Sequence, residues 1–128
     1  MFLGLRTVIY PAPDLAASKS WFTELLGVEP YFDEPFYVGY QVAGYELALD
    51  PAGDPESGPV TYWGVADADA ALARLRAAGA RERTPVTDVG DAIRVATVLE
   101  PAGTVLGVIE NPHFSLSDAP TLTGGPGR

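Results

Sequence analysis

The chain has 128 residues and a formal net charge of −9 at pH 7. That length holds one domain with room for a substantial core, and the charge argues against nucleic-acid partners, since neutralising phosphates takes clustered Lys and Arg. There is no cysteine, which excludes disulfides, thiolate metal sites and thiol nucleophiles. No apolar run approaches the roughly 20 residues of a membrane-spanning helix, and the amino terminus lacks a basic-then-apolar leader. A cytoplasmic protein with no membrane partner is therefore expected.

Residues 5–10 (LRTVIY) are a β-branched and apolar run closed by Pro11 and Pro13, which predicts a strand followed by a turn. Asp14 then precedes 15–26, where Leu15, Ser18, Phe22 and Leu25 or Leu26 recur at helical spacing, with Gly27 after them. Aspartate as N-cap and glycine just past the end are helix punctuation. Trp21 and Phe22 are expected to pack rather than to bind. Residues 28–33, 35–42 and 45–49 are rich in Tyr, Phe and Val and are separated by Asp-Glu-Pro and Ala-Gly, the pattern of a three-stranded meander. The stretch 50–59 (DPAGDPESGP) has too much proline and glycine for a helix or a central strand and reads as a linker. A strand over 60–66 (VTYWGVA) and a helix over 67–78 follow, the helix capped by Asp67 or Asp69 and closed by Gly79. Three further strands are predicted over 81–86, 92–99 and 104–109. Module one thus covers 5–50 and module two 60–112, each β-α-β-β-β, while 113–128, poor in anchoring side chains, is expected to be a flexible tail.

The two modules echo each other in detail. EPAGTVLGVIE (100–110) and VAGYELALDP (42–51) share an Ala-Gly turn, an apolar strand and a following proline, and superposing them sets Glu46 opposite Gly107. Two such modules in tandem predict an α+β fold, with a curved mixed β-sheet forming a cleft and the helices on its outer face. Alternation sorts the strands. If Val8, Tyr10, Leu47, Leu49, Trp63, Val65 and Val108 face the helices, the other face carries Thr7, Ile9, Glu46, Ala48, Asp50, Val60, Tyr62, Gly64, Gly107 and Ile109. That mixture of small, apolar and sparse polar residues suits a small-molecule site, unless its own side chains or a second subunit fill it. A glycine inside a strand, as at Gly107, marks close approach to the backbone, either by a ligand or by a neighbouring side chain.

The doubled plan, the pattern YPAPDLAASKSWFTELLG, its echo VADADAALARLRAAGA, and EPAGTVLGVIE together resemble the vicinal oxygen chelate superfamily. This family includes glyoxalase I, extradiol dioxygenases, fosfomycin-resistance enzymes and bleomycin-resistance binding proteins. The resemblance covers residues 5 to about 112. It implies four metal positions, one early in the first strand and one in the last strand of each module. They fall on Thr7, Val60, Glu46 and Gly107. Of these only Glu46 is a competent ligand for a divalent cation, and gripping one takes three or four converging donors. No metal and no cofactor are expected on that ground. The single histidine, His113, lies past the last strand.

One histidine so placed cannot serve a Ser-His-Asp arrangement, and no glycine-rich phosphate loop precedes a helix. Glu46 and Asp50 could be paired carboxylates on one strand face, with Glu46 the catalytic group if the protein is an enzyme. Phe32, Phe36, Tyr37, Tyr40, Tyr45 and Tyr62 offer flat surface and π-faces that attract cations. The expected function is metal-independent binding or sequestration of a small planar aromatic or cationic molecule, similar to the bleomycin-resistance proteins and so tied to antibiotic resistance. Its residues would be Thr7, Ile9, Tyr37, Tyr40, Glu46, Ala48, Val60, Tyr62, Gly107 and Ile109. The alternative is a glyoxalase- or dioxygenase-type lyase or isomerase using Glu46, with a divalent metal or as an acid-base group. The resemblance also implies a homodimer.

Overall fold

The computed structural model describes residues 1–114, so of the tail predicted over 113–128 all but His113 and Phe114 lies outside the described residues. The elements in chain order are β1 (Gly4–Pro11), α1 (Leu15–Leu26), β2 (Phe32–Glu34), β3 (Tyr37–Val42), β4 (Tyr45–Asp50), β5 (Val60–Gly64), α2 (Ala68–Ala77), β6 (Arg81–Asp88), β7 (Arg94–Leu99) and β8 (Val105–Glu110). The strands form one eight-stranded sheet in the order β2-β3-β4-β1-β5-β8-β7-β6. Parallel pairing of β5 with β8 beside antiparallel pairing of β7 with β8 makes it mixed, an α+β fold with two helices.

By packing, the described residues divide into a module-one unit, 8–59, and a module-two unit, 60–114 joined by residues 1–7. In the module-one unit the Asp14 side chain accepts the Ala17 N–H at 3.1 Å, and Gly27 closes the helix in the left-handed region at φ 72°. The apolar stripe of α1 lies on the sheet. Leu15, Phe22 and Leu26 pack against buried Ala12, Val38, Tyr40 and Leu49, with Leu47 alongside. Register explains the selection, since Val38 stands opposite Leu49 and Tyr40 opposite Leu47, so these four side chains share the helix-facing side. Phe22 packs as expected, whereas Trp21 is 59% exposed and meets the Phe22 ring edge-to-face. Val42 pairs with Tyr45 across a turn in which Ala43 (φ 52°) and Gly44 (φ 89°) both take the left-handed conformation that a two-residue hairpin requires.

In the module-two unit, Asp67 and not Asp69 is the N-cap of α2, accepting from the N–H groups of Asp69 and Ala70. Glu110, at the end of β8, also accepts the Ala68 N–H at 2.9 Å and receives Arg94 at 3.4 Å, which ties the helix start to the sheet. Ala68 and Ala71 of α2 pack on Val65, Ala96 and Val108, with Leu75, Val86 and Leu106 completing the cluster.

Several boundaries differ from the sequence reading, and local features account for the larger differences. Strand β2 begins at Phe32 rather than at 28, because Pro30 has no N–H to give a ladder. Strand β6 continues through Pro85 to Asp88, which an edge strand with register shifts tolerates. Ala92 leaves β7 for the turn, where Asp91 and Ala92 have φ of 55° and 63°. The linker contains a single 3-10 turn at Pro55–Ser57, capped by Asp54.

Tyr40 shows how a polar tip is accommodated in this core. Its hydroxyl donates to the Lys19 carbonyl at 3.0 Å, which leaves Thr23 to donate to it at 2.7 Å. Replacing Tyr40 with phenylalanine keeps the ring and removes one hydrogen-bond partner each from the Thr23 hydroxyl and the Lys19 carbonyl on α1. Urea unfolding of Tyr40→Phe should show a loss of about 1–2 kcal/mol, and no change would mean that water satisfies α1 equally well.

Candidate functional site

On the module-one unit the face turned away from α1 is set by the same register. Gln41 stands opposite Glu46 and Gly39 opposite Ala48, so these residues, with Tyr37, share that side. The Glu46 carboxylate is held from two directions. Tyr37 donates to Oε1 at 2.8 Å, and Tyr31 donates to Oε2. Gly39 makes room for this, because a Cβ there would stand 2.6 Å from Oε2 of Glu46 and 3.1 Å from the Tyr31 ring. The Tyr31 N–H also bonds the Gly39 carbonyl at 3.0 Å, which fixes the approach of the ring. Although Tyr31 is 56% exposed as a residue, desolvation pushes its ionisation well above the ordinary tyrosine range, assisted by the hydrogen bond to Glu46 and by that group's charge. Tyr31 therefore keeps its proton and stays a donor. Around this trio stand more rings. Phe32 meets Tyr37 and Phe36 edge-to-face at 5.9 and 6.1 Å, and Phe36 is 66% exposed.

On the module-two unit a corresponding row runs across four strands. Tyr62 pairs with Gly107, Gly107 with Thr97 and Thr97 with Thr84, so these side chains lie on the side away from α2. The two threonine hydroxyls are 2.7 Å apart, and the Tyr62 ring covers Gly107, where a Cβ would come within 2.6 Å of it. What approaches the backbone at Gly107 is thus the protein's own tyrosine.

The residues singled out from the sequence fall into three groups. Glu46 and Tyr37 are brought together, and Tyr62 and Gly107 are brought together. Ile9, Val60 and Ile109 are half-buried, and Thr7 is buried. Tyr40 and Ala48 depart from the expectation, since neither has any exposed surface. Tyr40 lies three residues from Tyr37 on one strand, and alternation turns it toward α1. The suggested pairing of Glu46 with Asp50 also fails, since four residues along a strand separate them by roughly 13 Å, and the Asp50 carboxylate accepts the Ala52 N–H at 2.8 Å. Two residues were missed. Tyr31 and Arg6 were read as parts of strands, over 28–33 and 5–10, and given no role in a site. The signal for both is a glycine inside a strand, Gly39 beneath Glu46 and Tyr31, and Gly64 beneath Arg6.

The donor set does not suit a divalent cation. Of the four positions that the resemblance assigns to a metal, only Glu46 has a charged donor and only Thr7 a neutral hydroxyl, and among the described residues no three His, Asp or Glu side chains gather closely enough to hold a metal. His113 bonds the Asp91 carbonyl at 2.8 Å instead.

A family model described as the Glyoxalase/Bleomycin resistance protein/Dioxygenase superfamily matches residues 4–108. The chain belongs to this superfamily. CFP32 of Mycobacterium tuberculosis and Mycobacterium bovis, a protein provisionally named a glyoxylase, is 32% identical over 107 residues, taking in 74% of this chain and 41% of that protein. The chain thus spans about two fifths of the length of these curated relatives. Methylmalonyl-CoA epimerase of Streptomyces coelicolor, solved with 2-nitronate-propionyl-CoA, superposes with a TM-score of 0.71 at 17% identity, over 90% of this chain and 99% of that one. A superfamily member from Vibrio splendidus 12B01 superposes with a TM-score of 0.64 at 21% identity, over 84% and 99%. At such identities the likeness to both structures is one of fold. Superfamily membership therefore leaves the reaction open, because function resides in the site and not in the fold.

Proposed function

We propose that the protein binds a small, planar, cationic organic molecule without a metal, at the sheet face that carries Glu46, as bleomycin-resistance-type proteins sequester a drug. The observation that supports this reading is the Glu46 carboxylate pinned by Tyr31 and Tyr37 beside the exposed rings of Phe32 and Phe36. A fixed carboxylate attracts positive charge, and exposed π-faces attract both flat surface and cations. Sequestration needs no reacting group, since a matched surface lowers free ligand by mass action.

Ethidium, planar and permanently cationic, is a suitable probe, with uncharged phenanthridine as its control. At a hundred times its dissociation constant, ethidium should stabilise the protein by about 2.7 kcal/mol. Glu46→Gln keeps the shape and removes the charge, and should weaken ethidium about tenfold or more while leaving phenanthridine unchanged. Equal ethidium binding by wild type and Glu46→Gln would refute the reading.

A carboxylate held at one place by two hydroxyls is also what a general base requires. This favours, as second reading, a lyase or isomerase acting through Glu46, of the kind represented by methylmalonyl-CoA epimerase. Its mark would be washout of a substrate C–H proton into deuterated water, with methylmalonyl-CoA as the first substrate tried, lost in Glu46→Gln. Homodimerisation and a cytoplasmic setting complete the proposal; light scattering reads the first. No helix among the described residues is long and apolar enough to cross a membrane.

A further inference from the structure

In the module-two unit a half-buried cation, Arg6, is held in a way that the other described residues do not explain. The Arg6 guanidinium lies over Gly64, where a Cβ would stand 2.6 Å from Nε and 2.7 Å from Cζ, so only glycine leaves space for it. Its Cζ is 3.8 Å from the centroid of the Phe114 ring. The hydrogen bond it makes among the described residues, to the Leu5 carbonyl, is long at 3.4 Å. The chain has 17 Asp and Glu, and Lys19, Arg76 and Arg94 each have an acidic partner. No carboxylate of the described residues lies within ion-pair distance of Arg6, although Arg6 is half-buried. Sheltering a cation without a counter-ion costs free energy. Stacking on a ring also fixes the plane of the guanidinium, and a fixed plane is what lets its fork meet both oxygens of a carboxylate.

The surroundings narrow the ligand class. Gly64 and Tyr62 are two residues apart on β5, so the space over Gly64 opens on the side that carries the Tyr62 ring. A carboxylate at Arg6 would then have aromatic surface from Tyr62 and Phe114 within the same unit. A single guanidinium within a chain of net charge −9 matches a monoanion better than a dianionic phosphate. We propose that Arg6 is a binding residue for the carboxylate of a small aromatic monocarboxylic acid. This goes beyond the Glu46 reading and does not depend on it.

Benzoate is the probe and uncharged benzamide the control, followed through the Arg6 Nε–H resonance and by affinity. Benzoate should move that resonance and benzamide should not. Arg6→Gln should weaken benzoate about ten- to a hundredfold, and Arg6→Lys, which keeps the charge and loses the fork, should fall between the two. If Arg6→Gln does not fold, Phe114→Ala carries the test, because it retains the charge and removes the ring that orients it. An unmoved Nε–H resonance in benzoate, or undiminished benzoate affinity in Arg6→Gln or Phe114→Ala, overturns the proposal. Binding of ethidium without benzoate would sink this inference alone, and binding of benzoate without ethidium would sink the Glu46 reading alone.

Discussion

Leu49→Ala should lower the free energy of unfolding by about 2–5 kcal/mol, with a fall in melting temperature of roughly 10–20 °C. Leu49 is fully buried, stands opposite Val38 on the sheet and lies in the cluster that Leu15, Phe22 and Leu26 of α1 pack against. Removing its branched end takes away apolar surface and leaves a hole between a strand and a helix, neither of which can close it without moving the other. A domain of this size is stable by only about 5–15 kcal/mol, so the loss is a large share of the whole. Leu25→Ala is the matched control, since Leu25 is on α1 and 62% exposed. It should change stability by no more than about 0.5 kcal/mol. Equal losses from the two substitutions, measured by urea unfolding, would show that the helix is not anchored where the packing places it.

The contrast between Leu49 and Leu25 also shows why so much of the fold was legible. Period-two alternation in YELALD and punctuation by Asp14, Gly27 and Asp67 are local signals, and each element they predicted is present. Boundaries drifted where a single residue decided them, as at Pro30 and Ala92. The site was less legible because it depends on which side chain lies over which backbone. Tyr37 and Tyr40 were grouped by residue type, yet three positions on a strand put them on opposite sides, and only Tyr37 reaches Glu46. Tyr31 precedes its strand, so alternation could not place it. The glycine argument made for Gly107 was the right one and was applied too narrowly. Gly39 and Gly64 are in strands for the same reason, and the side chains above them, Glu46 and Arg6, are the charged groups the functional proposals rest on.

Gly39→Ala should separate the site from the fold. The added Cβ would fall 2.6 Å from Oε2 of Glu46 and 3.1 Å from the Tyr31 ring, distances that cannot persist. What must yield is the far end of a flexible carboxylate, not backbone, and Gly39 is not in the left-handed region that disfavours alanine. The core on the helix side, Val38 and Tyr40 against α1, is untouched. Stability should therefore change by less than about 1 kcal/mol, alanine's smaller loss of backbone entropy offsetting some of the strain. The effect on Glu46 should be much larger, because its hydrogen bond to Tyr31 is lost and its position with it. Ethidium affinity is expected to fall about tenfold or more. An alkaline titration gives an independent reading. Tyr31 ionises late partly because it donates to Glu46 and feels that charge, so in Gly39→Ala one tyrosine should ionise at lower pH than in the wild type. A variant that unfolds cooperatively as the wild type does, yet keeps both its ethidium affinity and its late-ionising tyrosine, would show that the contact between Tyr31 and Glu46 is not what shapes the site.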